Sequence, residues 1–475
     1  MLFNSYAFIF GFLPIVLLVF FGLTRFHLVK AGLIWMAVAS LFFYGYWNPS
    51  YLPLLLISIA FNYALGNAID RAKPASRAAK IFLVLGIALN LAILGYYKYA
   101  DFFITSANQV LATDWPKQNI ILPLAISFYS FTQIAYLVDA YRGETKNANY
   151  DFISYGLFVA FFPQLIAGPI LRHDELIPQF RQLRNFVFSD RNLAQGLTLF
   201  ILGLSKKVLI ADNLSPWVAL TFNDASSLDF LEAWVGALSY TFQLYFDFSG
   251  YSDMAIGLGW MVNINLPVNF NSPYKATSIV DFWRRWHITL SNFLRDYLYI
   301  PLGGNRHGQL RRYANLMITM LLGGLWHGAG WTFVIWGGLH GLFLVVCQVW
   351  RRLGVPLPKI LSWLVTFIAV VACWVLFRAQ SINDAIAIGR SMIGINGILL
   401  PEGLENPLDW LSPRGVQFKI LVLASLTLAV TQLPNTQEIL QKFKVGFLRA
   451  FVVAALATFC FLSLNKVSEF LYFQF

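Results

Sequence analysis

YANLMITMLLGGLWHGAGWTFVIWGGLHGLFLVVCQVW, residues 313–350, is the stretch whose reading decides the fold. It is an apolar run well beyond the about 20 residues of one membrane crossing. Arg306, Arg311 and Arg312 precede it, and Arg351 and Arg352 follow it. Short loops rich in Lys and Arg stay on the cytoplasmic side, so both flanks ask for the same face. The run therefore reads as a hairpin or a broken re-entrant pair. Irregular backbone at that depth is tolerated only where protein or a water-lined cavity surrounds it.

Working outward, further apolar runs lie near 7–23, 31–47, 51–69, 81–99 and 120–141, and later ones near 360–378, 416–433 and 447–464. The first lacks a basic stretch before it and a small-residue cleavage site after it, so it reads as a retained span. Basic residues in the loops after the first run (Arg25, Lys30) and the third (Arg71, Lys73, Arg77, Lys80), with none at Asn48 and Pro49, place the N-terminus outside. The run 152–171 sits between two basic segments and holds Pro163, Gly168 and Pro169, so it is expected to enter and return without crossing. The tally is about eleven transmembrane helices plus re-entrant or interfacial pieces, with no internal repeat and no separate soluble domain. The chain is thus expected to be one all-α polytopic membrane domain, 1–475, with 263–350 as its catalytic core segment. The tail 465–475 is expected outside, so that both termini are extracytoplasmic.

Composition agrees. Of 475 residues, 58% are hydrophobic and 12% charged, against roughly a quarter charged in ordinary soluble domains. The 44 Phe, 21 Tyr and 15 Trp are spread along the whole length, and the mean hydropathy is +0.62. A simple cytosolic enzyme is excluded, because the polar surface needed to coat it is missing. The net charge of +11 fits basic cytoplasmic loops on a lipid bilayer and does not argue for a nucleic-acid partner. Cys347, Cys373 and Cys460 all lie in apolar runs and read as packing residues, giving no disulfide framework and no thiolate metal site.

Ionisable side chains inside an apolar bundle are costly and by default functional candidates. His327 lies in GGLWHGAGW (323–331), where surrounding glycines let a substrate approach; the plainer alternative is a core histidine satisfied by a backbone carbonyl. His287 ends FWRRWH (282–287), which by itself also reads as an interface-anchored basic helix. His340 follows His327 by thirteen residues and either orients or packs, while His307 in GGNRHG reads as a solvated loop residue. Asp247, Asp253 and Asp281 mark an ion path or are carboxylates paired with Lys or Arg. Neither His287 nor His327 has a metal-ligand companion at i, i+4, and no HExxH, GxSxG or P-loop motif in a credible context appears, so no metal is expected.

FFPQLIAGPI (161–170), QLYFDFSGYSDMAIG (243–257), NFNSPY (269–274), FWRRWHITLSNFLRDYLYIPLGGN (282–305) and GGLWHGAGWTFVIWGGLHG (323–341) together resemble the membrane-bound O-acyltransferase (MBOAT) family, and within it most closely the membrane subunit of alginate O-acetylation. The resemblance runs the length of the chain. It implies a ring of helices around a central funnel, in which a cytoplasmic acyl donor meets an acceptor from the other face or from the lipid. It places the family's invariant histidine at His327 and its second polar catalytic position at His287, with His340 and Trp326 in a matching motif. Physically, attack of a hydroxyl on a thioester needs a base of near-neutral pKa, which suits His327, and His287 would hydrogen-bond the thioester oxygen or orient the acceptor. Acetyl-CoA is the expected donor substrate, with no bound cofactor. Arg284, Arg285, Arg306, Arg311 and Arg312 would hold its phosphates or simply set topology.

The chain ends EFLYFQF, which resembles the aromatic C-terminal motif of companion proteins in teichoic-acid D-alanylation. Tyr472 is accordingly an acyl-shuttle candidate: a phenol of pKa about 10 makes an ester with enough transfer potential to acetylate a sugar. The alternative is an aromatic interfacial anchor. The resemblance implies an enzyme of the bacterial inner membrane feeding acetyl to an extracytoplasmic SGNH-type partner that modifies a polysaccharide such as alginate, with peptidoglycan and cellulose as other acceptors. A transporter of an acetylated or lipid-linked carrier, and direct acylation of lipid or protein, are the competing readings. A transporter has no need of a base at His327.

Overall fold

The computed structural model describes every residue except 147, 399–414, 445, 465–469 and 472–475; Tyr472 thus lies outside the described residues. Among the described residues all regular structure is helical. Among the described residues six helical segments are long and apolar enough to cross a membrane: Ala7–Arg25, Pro49–Arg71, Arg77–Leu111, Asp190–Asn223, Trp331–Leu353 and Lys359–Arg378. Val29–Gly45, Val416–Gln432 and Phe447–Leu462 are shorter apolar helices. Large apolar side chains such as Leu18, Ile57, Ile360 and Phe447 stand exposed on these helices, as a lipid-facing surface requires. The chain is a polytopic membrane protein. Eleven complete crossings would put the two termini on opposite faces, so termini on one face require an even number with the other passages incomplete.

The residues fall into two compact units that interleave in sequence. One comprises Met1–Leu204, Tyr251–Val268 and Val445–Gln474, the other Ser205–Gly250 and Asn269–Lys444.

In the first unit the run 152–171 is broken, as its prolines foretell. Asp151 caps the helix Phe152–Ala160 by accepting from Ser154 N (2.9 Å). Nine residues rise about 14 Å, half of a hydrocarbon core. The chain turns at Phe161 and resumes as the single turn Phe162–Leu165. Backbone groups freed by the break find side chains: Ser40 Oγ accepts from Phe162 N (3.1 Å), and Gln164 Nε2 donates to Phe158 O (2.6 Å). From Leu157 to Leu171 the stretch is buried throughout, which meets the condition for irregular backbone in a membrane.

In the second unit 313–350 is a helical hairpin, Gly308–His327 and Trp331–Leu353, joined at Gly328–Gly330. Two glycines let the arms touch. A Cβ added at Gly324 would stand 3.1 Å from Gly337 Cα and collide with Phe333 O, and one at Gly337 would collide with Met320 O. At Gly338, one residue on, the nearest atom is the flexible Leu321 Cδ2 at 3.4 Å. Gly337→Leu is expected to lower stability by about 1–3 kcal/mol through overpacking, while Gly338→Ala stays near the parent, read as the thermal midpoint of the detergent-solubilised chain.

Candidate active site

All three buried candidate histidines lie in the second unit. His327 is the last residue of the first hairpin arm and is 4% exposed. Its ring centre lies 5.0 Å from Trp326, 5.1 Å from Trp336 and 5.4 Å from Phe377, each edge-on. The arm ends there because Gly328 is extended (φ −158°, ψ 148°), so the imidazole sits at a helix end between glycines.

His287 is brought beside it. It caps the helix Ile288–Leu294 from the left-handed region (φ 43°, ψ 56°), a conformation that costs a non-glycine residue about 1–2 kcal/mol and that persists where the surroundings impose it. The surroundings here are Asn269, whose backbone O accepts from Ile288 N (3.0 Å), and Phe248, edge-on at 4.8 Å. The rings of His287 and His327 are 6.5 Å apart, with Trp326 6.3 Å from His287. His287 is completely buried and lies outside the spanning helices; burial holds its imidazole well below the usual range, so the ring is neutral.

His340 is also fully buried but differently employed. Its Nδ1 accepts from Trp283 Nε1 (3.2 Å), its ring lies flat over Phe282 (6.1 Å, 13°), and Trp336 stands 4.7 Å away. Trp336 therefore touches both His327 and His340, and Trp374 backs the wall from the helix Lys359–Arg378. His287, His327, Trp326 and His340 share one aromatic-walled site. The arginines separate from it in character: Arg284 and Arg306 are exposed, whereas Arg285 Nε donates to Asp281 Oδ1 (2.9 Å) and its Nη1 to Asn271 O (3.3 Å). His307 is exposed, in keeping with a solvated loop.

Two of the three candidate carboxylates, Asp247 and Asp281, are paired with bases. Asp281 has Arg285, and Asp247 has Lys207 at 2.7 Å, with Asp212 at 2.9 Å from the same ammonium. Lys207 and Asp247 are each 1% exposed. Nothing in the composition singled out Lys207; the signal in the sequence is a lysine pair, Lys206 and Lys207, set between the apolar stretches of the segment Asp190–Asn223. A second ionic cluster sits in the first unit. Asp139, Glu144 and His173 converge there, and the Arg172 guanidinium stands among them at 3.4 Å from Asp139 and 2.6 Å from Glu144. Tyr150 Oη lies 2.9 Å from His173 Nδ1. This is an ion-pair network with its own cation.

A model of the MBOAT, membrane-bound O-acyltransferase family matches residues 143–383, half of the chain, spanning every residue of the histidine site. The chain belongs to the membrane-bound O-acyltransferase family. It is 43% identical to the peptidoglycan O-acetyltransferase of Helicobacter pylori, over 100% of this chain and 98% of that one. It is 44% identical to the probable alginate O-acetylase AlgI of Pseudomonas aeruginosa, over 90% and 81%. The teichoic acid D-alanyltransferase of Bacillus subtilis is more distant, 26% identical over 53% and 67%. Membership makes the chain a membrane acyltransferase with O-acetyltransferase relatives.

Removing one partner of a buried ion pair leaves an uncompensated charge. Lys207→Met is expected to destabilise the chain by about 3–5 kcal/mol, whereas Arg284→Met, at an exposed position, changes the thermal midpoint little.

Proposed function

We propose that this chain takes acetyl from cytoplasmic acetyl-CoA and delivers it across the inner membrane to an extracytoplasmic partner that O-acetylates a polysaccharide. The observation that carries the reading is the pairing of two buried imidazoles, His327 and His287, in an aromatic-walled site. A neutral imidazole is a competent base for a hydroxyl nucleophile. His327 takes the hydroxyl proton. Carbon–oxygen bond formation at the acetyl carbonyl then expels the thiolate, which recovers the proton as free thiol. Exposed Arg284 and Arg306 are suited to the donor's phosphates; Arg285 is committed to Asp281 and contributes through the fold.

Tyr472 is the proposed first acceptor. Support comes from the last described turn of the tail: Phe470 is 1% exposed and packs edge-on against Tyr251 at 4.9 Å, in the unit to which both belong. A superficial aromatic anchor would leave that ring at the surface. Acetyl-tyrosine would then pass its acyl group to an SGNH-type partner. For the final acceptor, alginate follows from the AlgI likeness, and peptidoglycan is favoured by the end-to-end alignment with the H. pylori protein.

Intact-mass analysis after incubation with isotope-labelled acetyl-CoA tests donor, base and shuttle together. The parent is expected to gain one labelled acetyl, and His327→Ala and Tyr472→Phe none. A folded Tyr472→Phe chain that supports undiminished polysaccharide acetylation in cells disposes of the shuttle, and a His327→Ala chain that keeps function points to transport without acyl chemistry.

A further inference from the structure

Two adjoining hollows in the first unit take no part in the acyl-transfer site. The larger is an apolar groove of about 1130 Å³, lined by the helix Leu13–Arg25 and by the helix that starts at Asp190. Phe186 and Phe200 in its lining are buried, whereas Leu18 and Val187 are 74% and 65% exposed, so the groove has a packed floor and open sides. From Leu13 to Arg25 the helix rises about 18 Å, slightly more than the about 15 Å of hydrocarbon in one leaflet. Arg25, its last residue, and His27 also line the groove. The smaller hollow, a cavity of about 690 Å³, shares Val187 and Phe188 with the groove and is polar: Arg184, Trp260, Gln195 and Asn265 line it. Asn263 holds its wall in place. The Nδ2 of Asn263 donates to Asn185 O (3.0 Å) and Val187 O (2.8 Å), and its Oδ1 accepts from Asn192 Nδ2 (2.8 Å). Among the described residues no Asp or Glu lines either hollow, and each has an arginine in its lining.

We propose that the two hollows together hold one anionic glycerophospholipid, with an acyl chain along the groove and the phosphate and headgroup at the basic, polar end. The lipid is a bound component and not a reactant, so the site is independent of the acyl-transfer reading. In a bilayer the filling of an apolar groove is decided by packing, which a flexible hydrocarbon chain of one leaflet's depth satisfies. The basic end separates this site from ordinary lipid contact. Basic pockets between membrane helices select anionic headgroups, and a guanidinium matches the geometry of a phosphate. A zwitterionic lipid would bring an ammonium to a lining that has no carboxylate to meet it. The side-chain amides of Gln195 and Asn265 add donors and acceptors suited to headgroup hydroxyls. A helix from a second copy of the chain would fill the groove but leave the arginines without a counter-charge.

The test is native mass spectrometry of the full-length chain, released from detergent micelles to which dioleoylphosphatidylglycerol, dioleoylphosphatidylethanolamine or glycerol 3-phosphate has been added. The parent is expected to retain one phosphatidylglycerol, about tenfold or more tighter than phosphatidylethanolamine, at roughly fivefold per arginine. It is expected to retain no glycerol 3-phosphate. Arg25→Gln/Arg184→Gln is expected to lose the preference, and Arg77→Gln, at an exposed arginine that lines neither hollow, to keep it. Gly22 lines the groove, and a Cβ added there meets no atom within 4 Å, so Gly22→Trp fills the groove without a backbone clash and is expected to lose the lipid. Equal retention of both lipids by the parent, a preference that survives in the double arginine variant, or undiminished phosphatidylglycerol on Gly22→Trp overturns the proposal. Glycerol 3-phosphate held as tightly as the lipid shows a phosphate site alone, and a dimer that Gly22→Trp dissociates gives the groove to a second copy; either result also overturns it. If the double arginine variant does not fold, the parent's preference and the Gly22→Trp chain decide.

Discussion

The site depends on burying imidazole side chains in an apolar, aromatic wall. Three histidines at positions 287, 327 and 340 are each less than 5% exposed. Burial penalises the charged form of His287, and a buried ring nitrogen needs a polar partner. Trp283 donates to Nδ1 of His340, and Asn269 Oδ1 lies 3.1 Å from Nδ1 of His287. The hairpin supplies the remaining geometry, since close packing at Gly324 and Gly337 brings His327, Trp336 and His340 onto one wall.

The same rule governs the rest of the chain. Where backbone breaks inside apolar surroundings, as at Phe161, side chains from Ser40 and Gln164 complete its hydrogen bonds. Where charge is buried, as at Lys207, carboxylates meet it from two positions. Polar satisfaction inside a medium without water limits what this sequence is free to vary, and it concentrates the polar residues at a few sites.

Much of this was legible in the sequence because the physics is local. Apolar run length marked the membrane helices, basic flanks marked the hairpin, and the prolines of 152–171 marked the break. Glycines around His327 marked a close approach. What was not legible depends on residues distant in sequence. The run 120–141 begins its helix only at Ile126, because the chain before it is irregular. The commitment of Arg285 to Asp281 was hidden in a string that read as uniformly basic. Asn269 and Lys207 carry no periodic signature; their meaning comes from His287 and from Asp247, eighteen and forty residues along the chain.

The central claim is that His287 and His327 act as one unit in acyl transfer. The most direct measurement is thiol release from acetyl-CoA by membranes containing the parent, each single alanine variant, and the double variant His287→Ala/His327→Ala. Residues that work as a unit are non-additive. The account predicts a double variant no slower than His327→Ala alone. Losses that multiply would show two independent contributions and contradict it.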